Sequence, residues 1–136
     1  MDHIKLGAQL YEACGQAGSL SVYEALAAAA ILHANKNKGY ASNGDPLDNF
    51  KSARCVQSGI LNKLQYAHTL MEKQDDALSK LVWSTGPIEW EARGGEEMFR
   101  ERALDGVIYR CLMVALRADD DARAGGLKRD TQPDVG

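Results

Sequence analysis

The sequence has little of several features that mark particular classes of protein. Its three cysteines, Cys14, Cys55 and Cys111, are odd in number and far apart, which argues against a disulfide framework or a zinc site. It contains neither an apolar run of membrane-spanning length nor the basic-then-apolar order of a signal peptide. A formal net charge of -3 lacks the basic excess of a nucleic-acid-binding domain. We therefore expect a cytoplasmic protein with neither a membrane nor a nucleic acid as its partner.

Periodic apolar residues indicate helices along most of the chain, and neither β alternation nor an internal repeat is visible. Segments with helical spacing cover residues 3–14, 21–34, 53–74 and 96–118. Residues 77–95 begin with a helical pattern but also contain Gly-Pro and Gly-Gly breakers, which predicts a short helix and then an irregular connection. The expected fold class is all-α, an antiparallel helical bundle of four to five helices.

The chain has the length of one domain with a single core, and residues 1–118 are expected to form it. Residues 119–136 are poor in apolar side chains, which predicts a flexible, disordered C-terminal tail. Ser21 followed by Glu24 predicts a capping box at the start of the second helix. That helix is apolar almost all round, so we expect it in the middle of the bundle and expect a homo-oligomer, a dimer, to cover the remaining apolar surface.

Charged residues occupy positions where the helical pattern calls for apolar ones. Asp105 lies in the middle of an apolar face with Glu101 one turn earlier, and Glu24 and Lys63 lie on or beside apolar faces of their helices. A buried carboxylate needs a partner, because its desolvation must be offset. Glu97, Glu101 and Asp105 share one side of their helix and could hold a hydrated Mg²⁺. The alternative is structural: Glu24 as a capping residue, Lys63 reaching solvent, and Asp105 paired with Lys63.

A polar stretch over residues 35–50 interrupts the helical pattern and is a candidate binding segment. It contains Lys36 and Lys38, and Lys51 and Arg54 follow it; these cations could meet a phosphate or be solvated charges. His33 and His68 lack a partner at metal-ligand spacing and receive no role.

Four short motifs resemble the phage nucleotide modification associated domain 1 family: Lys36-Asn37-Lys38-Gly39-Tyr40, Asp45-Pro46-Leu47-Asp48-Asn49-Phe50, Asn62-Lys63-Leu64, and Glu101, Asp105 and Tyr109 at intervals of four. The resemblance covers residues 24–115. The sequence departs from the family pattern at Gly39, where an Asp is usual, and after Lys63-Leu64, where an Arg is usual. The acidic helix is also similar to those of all-α MazG-type nucleotide pyrophosphohydrolases, although their paired acidic motifs are missing.

The resemblance implies a phage protein of nucleotide metabolism or DNA modification, placed in the host cytoplasm, that binds a nucleotide and acts as an Mg²⁺-dependent phosphohydrolase. The implied catalytic residues are Asp105 and Glu101, with Glu24 as a further metal ligand. The implied substrate-binding residues are Lys36, Lys38, Tyr40, Asp45, Asn49, Phe50, Lys63 and Tyr109. The competing hypothesis is a non-catalytic module that binds a host or phage protein through residues 35–50.

Overall fold

The computed structural model describes residues 2–40, 46–47 and 59–123 of the chain. These residues contain five α-helices, numbered in chain order: α1 (His3–Ala13), α2 (Leu20–Tyr40), α3 (Gly59–Val82), α4 (Pro87–Ala92) and α5 (Gly95–Arg123). No β-strand occurs in the described residues. The predicted all-α fold class with four to five helices is confirmed.

Helix α2 begins one residue earlier than predicted and uses a different cap. The hydroxyl of Ser19 accepts the backbone N–H of Val22 at 3.4 Å, and its carbonyl accepts the N–H groups of Val22 and Tyr23. The Tyr23 hydroxyl also donates to the carbonyl of Ala17 at 2.7 Å, which secures the turn before the helix. The predicted capping box of Ser21 and Glu24 is therefore wrong, because Ser19 provides the N-terminal cap.

The later helices are longer or more regular than the sequence pattern predicts. Helix α3 continues through Asp76, whose carboxylate pairs with Lys80 one turn later at 3.1 Å, so it runs to Val82. The expected irregular connection contains the short helix α4. Helix α5 continues past the predicted end at Ala118, so residues 119–123 are helical, whereas residues 124–136 of the predicted tail lie outside the described part.

Thr85, Glu89 and Arg93 hold helix α4 at both ends. Pro87 occupies its first turn, where a missing N–H is harmless. One oxygen of Glu89 accepts the amide and the hydroxyl of Thr85 at 2.6 and 2.7 Å. Arg93 donates to the other oxygen of Glu89 and, at 2.6 Å, to the carbonyl of Lys80. The hydrogen bonds from Thr85 and the charged one from Arg93 lower the pKa of Glu89 to about 2.

The described residues fall into two compact units. The first contains residues 2–40 and 72–108, and the second contains residues 46–47, 59–71 and 109–123. The predicted single domain over residues 1–118 stays a prediction. Within the described residues, no helix is long and apolar enough to cross a membrane.

In the first unit, α1 and α2 pack closely and run in opposite directions. A Cβ atom on the buried Gly7 would lie 2.7 Å from the Cα atom of Glu24, so only glycine permits this approach. Further along α1, the rings of Tyr11 and Tyr23 meet edge to face at a centroid distance of 5.8 Å. The alanines at positions 27, 28 and 29 of α2 are buried.

Helix α2 is not enclosed along its whole length. Leu20, Val22 and Leu26 in its first half are 42%, 57% and 43% exposed. The expectation that α2 runs enclosed through the middle of a bundle is therefore wrong near its start, because these three apolar side chains face solvent. The predicted dimer stays a prediction.

The second unit has its own small apolar core. Ala67 of α3 and Leu116 of α5 are buried at its centre, and partly buried residues surround them: Leu47, Ile60, Leu64, Tyr66, Leu70 and Met113. The apolar stripe predicted for the third helix thus forms part of this core, as its helical spacing indicates.

Candidate ligand-binding cleft

An open cleft of about 550 Å³ lies in the first unit. Residues from the start of α1, the middle and C-terminal part of α2 and the first half of α5 line it: Asp2, His3, Ala28, Ile31, Leu32, Asn35, Lys36, Glu97, Arg100, Glu101 and Leu104. The lining residues of α2 and of α5 recur at intervals of three and four, so each helix presents one face to the cleft. The cleft is therefore shaped by helical faces that the sequence periodicity already defines.

The lining combines an apolar wall with several polar groups. Ala28, Ile31 and Leu32 of α2 form this wall together with Leu104 of α5. The polar groups belong to all three helices, and Asn35 and Lys36 extend the α2 face toward its C-terminal end. This composition is typical of sites for small organic ligands, in which apolar contacts supply most of the buried area and a few polar groups set orientation.

Lys36 joins two carboxylates of α5. Its Nζ atom donates to both oxygens of Asp105 at 3.0 Å and to Oε1 of Glu101 at 3.4 Å. The side chain of Asp105 is 13% exposed, whereas those of Lys36 and Glu101 are 36% and 44% exposed. Asp105 therefore has the partner that its position on an apolar face requires, and that partner is Lys36 rather than the expected Lys63.

The surroundings of Lys36 keep it charged. Partial burial acts to lower the pKa of this ammonium, but the hydrogen bonds and charges of Asp105 and Glu101 outweigh burial and raise the pKa above its usual 10.5. Lys36 is consequently a cation over the whole physiological range, and two carboxylates already balance its charge.

Arg100 is the second cation of the cleft and differs from Lys36 in its surroundings. It is exposed and, within the part of the chain that the structure describes, forms no ion pair. Asp2 is an acidic lining residue with a structural role, because its carboxylate accepts the backbone N–H of Lys5 at 2.8 Å and caps α1. That hydrogen bond lowers the pKa of Asp2 and favours its charged form.

The structure brings together three of the predicted site residues. Lys36, Glu101 and Asp105 form one cluster, and the first two line the cleft. Glu24 lies against Gly7 and is not part of the lining, and Lys38 is exposed near the end of α2.

The remaining predicted residues lie in the second unit or have side chains outside the described part of the chain. Lys63 and Tyr109 are half-buried residues of the second unit. Tyr40 is the last residue of α2, and its side chain lies outside the described part, as do Asp45, Asn49 and Phe50.

Sequence reasoning missed Asp2, His3 and Arg100 as lining residues, and it included Asn35 only as the start of the candidate binding segment over residues 35–50. Arg100 had a usable signal, because it lies three residues after Glu97 and hence on the same face of α5. Asp2 and His3 had none, because only the packing of α1 on α2 carries them to the cleft.

The residues present do not fit a resident Mg²⁺ as the acidic spacing of α5 suggested. The ammonium of Lys36 occupies the position between Glu101 and Asp105 that a metal cation would take, and it engages both oxygens of Asp105. Among the described residues, no three or more His, Cys, Asp or Glu side chains are grouped as metal ligands.

Comparison with known proteins finds no matching family model, no similar curated protein and no similar solved structure. The resemblance to the nucleotide modification associated domain 1 family accordingly stays a prediction.

Proposed function

We propose that this protein binds a nucleotide in the cleft between α1, α2 and α5. The observation that carries this proposal is the combination of one apolar wall with two cationic side chains, Lys36 and Arg100, in a single cleft. A nucleotide has the matching parts, because its base is a flat ring with apolar faces and polar edges and its phosphate is an anion.

The size and wall of the cleft suit the base. A volume of about 550 Å³ is within the range of clefts that hold small organic ligands. Ile31, Leu32 and Leu104 offer aliphatic side chains for the faces of a heterocycle, while Asn35 carries an amide that can both donate and accept hydrogen bonds. The base would thus gain apolar contact and one directional partner.

The phosphate is assigned to Arg100. A guanidinium is planar, always charged and able to donate two parallel hydrogen bonds to a phosphate. Arg100 has no ion pair to break within the described residues, whereas Lys36 is already held by Asp105 and Glu101. Lys36 then serves as a supporting cation, and Asp105 acts as a positioning residue that holds it beside the cleft.

The proposal is restricted to binding. Hydrolysis of the implied kind needs Mg²⁺ on Glu101 and Asp105, and Lys36 occupies that place. The alternative of a protein-binding module depends on residues 35–50, half of which lie outside the described residues. We therefore leave both as predictions from the sequence.

Thermal unfolding with and without ligand tests the proposal. The probes are adenosine and thymidine 5′-monophosphates, and the guanosine and cytidine compounds complete the panel. A ligand present at about 100 times its Kd stabilises the folded state by about 2.7 kcal/mol, which is a readily measured rise in Tm. Arg100→Gln should abolish this rise.

The matched control is Lys73→Gln, which removes one cation from an exposed position of α3 outside the cleft lining. It should keep the ligand-dependent rise in Tm. If no monophosphate raises the Tm of the natural protein, or if Arg100→Gln responds as the control does, then nucleotide binding in this cleft is refuted.

A further inference from the structure

We infer that the cleft selects nucleotides with a single phosphate over di- and triphosphates. This inference rests on the proposed function and adds the class of ligand to it. It follows from the balance of charges around the cleft.

Carboxylates outnumber cations in the lining. Lys36 and Arg100 contribute two positive charges, whereas Asp2, Glu97 and Glu101 contribute three negative ones. Asp105 adds a further negative charge directly behind Lys36. A site for a triphosphate needs the opposite balance, because the phosphate chain brings several negative charges into a small volume.

The positions of the charges strengthen this argument. Any phosphate that approaches Lys36 also approaches Glu101, whose Oε1 atom is 3.4 Å from the lysine Nζ atom. The attraction of the ammonium for an added anion is thus largely cancelled by the nearby carboxylate. Arg100 remains as the one lining cation without an ion pair among the described residues, and one guanidinium satisfies one phosphate.

A carboxylate of the lining can also bind the sugar of a nucleotide. Carboxylates accept hydrogen bonds from the hydroxyls of a sugar, as an acidic residue does in dinucleotide-binding folds. Glu97 has no ion pair within the described residues and is therefore available as such an acceptor. A nucleoside monophosphate supplies one anion, sugar hydroxyls and a base, which matches one guanidinium, the Glu97 carboxylate and an apolar wall.

Titration calorimetry with adenosine mono-, di- and triphosphate, in buffer containing EDTA, tests the inference. We expect the monophosphate to bind at least about tenfold more tightly than the triphosphate, because each added phosphate adds charge that the carboxylates repel. Glu97→Gln should reduce this ratio several-fold by improving triphosphate binding. Glu96→Gln, which removes the neighbouring exposed carboxylate outside the lining, should leave the ratio unchanged.

The possible outcomes separate the inference from the proposed function. Triphosphate binding that equals or exceeds monophosphate binding in EDTA would overturn the charge-selection inference and leave nucleotide binding in place. An unchanged ratio in Glu97→Gln would also overturn it. Absence of binding by all three nucleotides would refute the proposed function together with the inference.

Discussion

Two carboxylate clusters of the first unit use similar groups in different ways. In one, Lys36 of α2 bridges Asp105 and Glu101 of α5, which are 69 and 65 residues away in the chain. In the other, Glu89 accepts hydrogen bonds from Thr85 and Arg93, each four residues away. The local cluster holds the short helix α4 at both ends, whereas the long-range cluster joins α2 to α5 and borders the cleft. Hydrogen bonds between residues four apart thus stabilise the ends of one helix, whereas those between residues far apart in the chain build part of the candidate site.

The two clusters also differ in their access to solvent. The side chain of Asp105 is 13% exposed, so water can replace few of the hydrogen bonds that Lys36 donates to it. Glu89 and Arg93 are 32% and 41% exposed, and their interaction is screened more strongly. The long-range cluster should consequently matter for global stability, and the local one mainly for α4.

The largest effect is expected from removing the Asp105 carboxylate. Asp105→Leu leaves the Lys36 ammonium without two of its three hydrogen bonds and should lower the free energy of unfolding by roughly 1 to 3 kcal/mol. Urea unfolding measures the loss. Adding Lys36→Met should recover most of it, because an apolar pair of similar volume can replace a partly buried ion pair. If Asp105→Leu alone is as stable as the natural protein, this cluster does not contribute to stability.

A local effect is expected from Glu89→Gln. It removes the charge that Arg93 and Thr85 hold, so α4 should fray while global unfolding changes less than in Asp105→Leu. In a Trp83→Phe background, Trp90 is the single tryptophan and reports on α4 through its fluorescence. Glu91→Gln, on the same helix, is the control that should leave the spectrum unchanged. Identical spectra for the two variants would show that Glu89 does not hold the helix.

The clusters should fail at opposite ends of the pH scale. The pKa of Glu89 is lowered from 4.5 to about 2, so its contribution is present above pH 4.5 and is lost as the pH falls through about 2. The pKa of Lys36 is raised above 10.5, so its contribution is present below pH 10.5 and is lost as the pH rises through the raised value. Trp90 fluorescence should follow the acid loss, and it should be unchanged in Glu89→Gln over that range. Comparing Lys36→Met with the natural protein across the alkaline range isolates the second loss.

The smallest effect on stability is expected for Asp76 and Lys80, an ion pair that is more exposed to solvent than either cluster. Both side chains are 68% exposed, and their atoms lie 3.1 Å apart. A double-mutant cycle with Asp76→Asn and Lys80→Met should give a coupling energy of about 0.3 to 0.5 kcal/mol. High salt should remove it. A coupling equal to that of Lys36 and Asp105 would show that exposure does not control these interactions.

Part of the candidate site was visible in the sequence. Asp105 interrupts an apolar face of α5, which correctly indicated that a partner must meet it, and Lys36 and Glu101 were both candidates. The choice of Lys63 as the partner was wrong, because helical periodicity shows which face a residue occupies and contains no information on which helix lies opposite. Arg100 was accessible to the same reasoning, whereas Asp2 and His3 were not.

The sequence by itself determined the all-α class and the approximate positions of the helices, because apolar spacing and helix-forming residues act over a few neighbouring positions. It misplaced helix ends, such as the cap at Ser19 and the extension of α5 to Arg123, because these depend on single hydrogen bonds and on packing beyond the local pattern. Only the tertiary structure decided that Lys36 pairs with Asp105 and that the start of α1 lines the cleft. Both depend on how helices pack, as at Gly7 where a missing side chain lets α1 approach α2, and such long-range contacts are not encoded in any one segment.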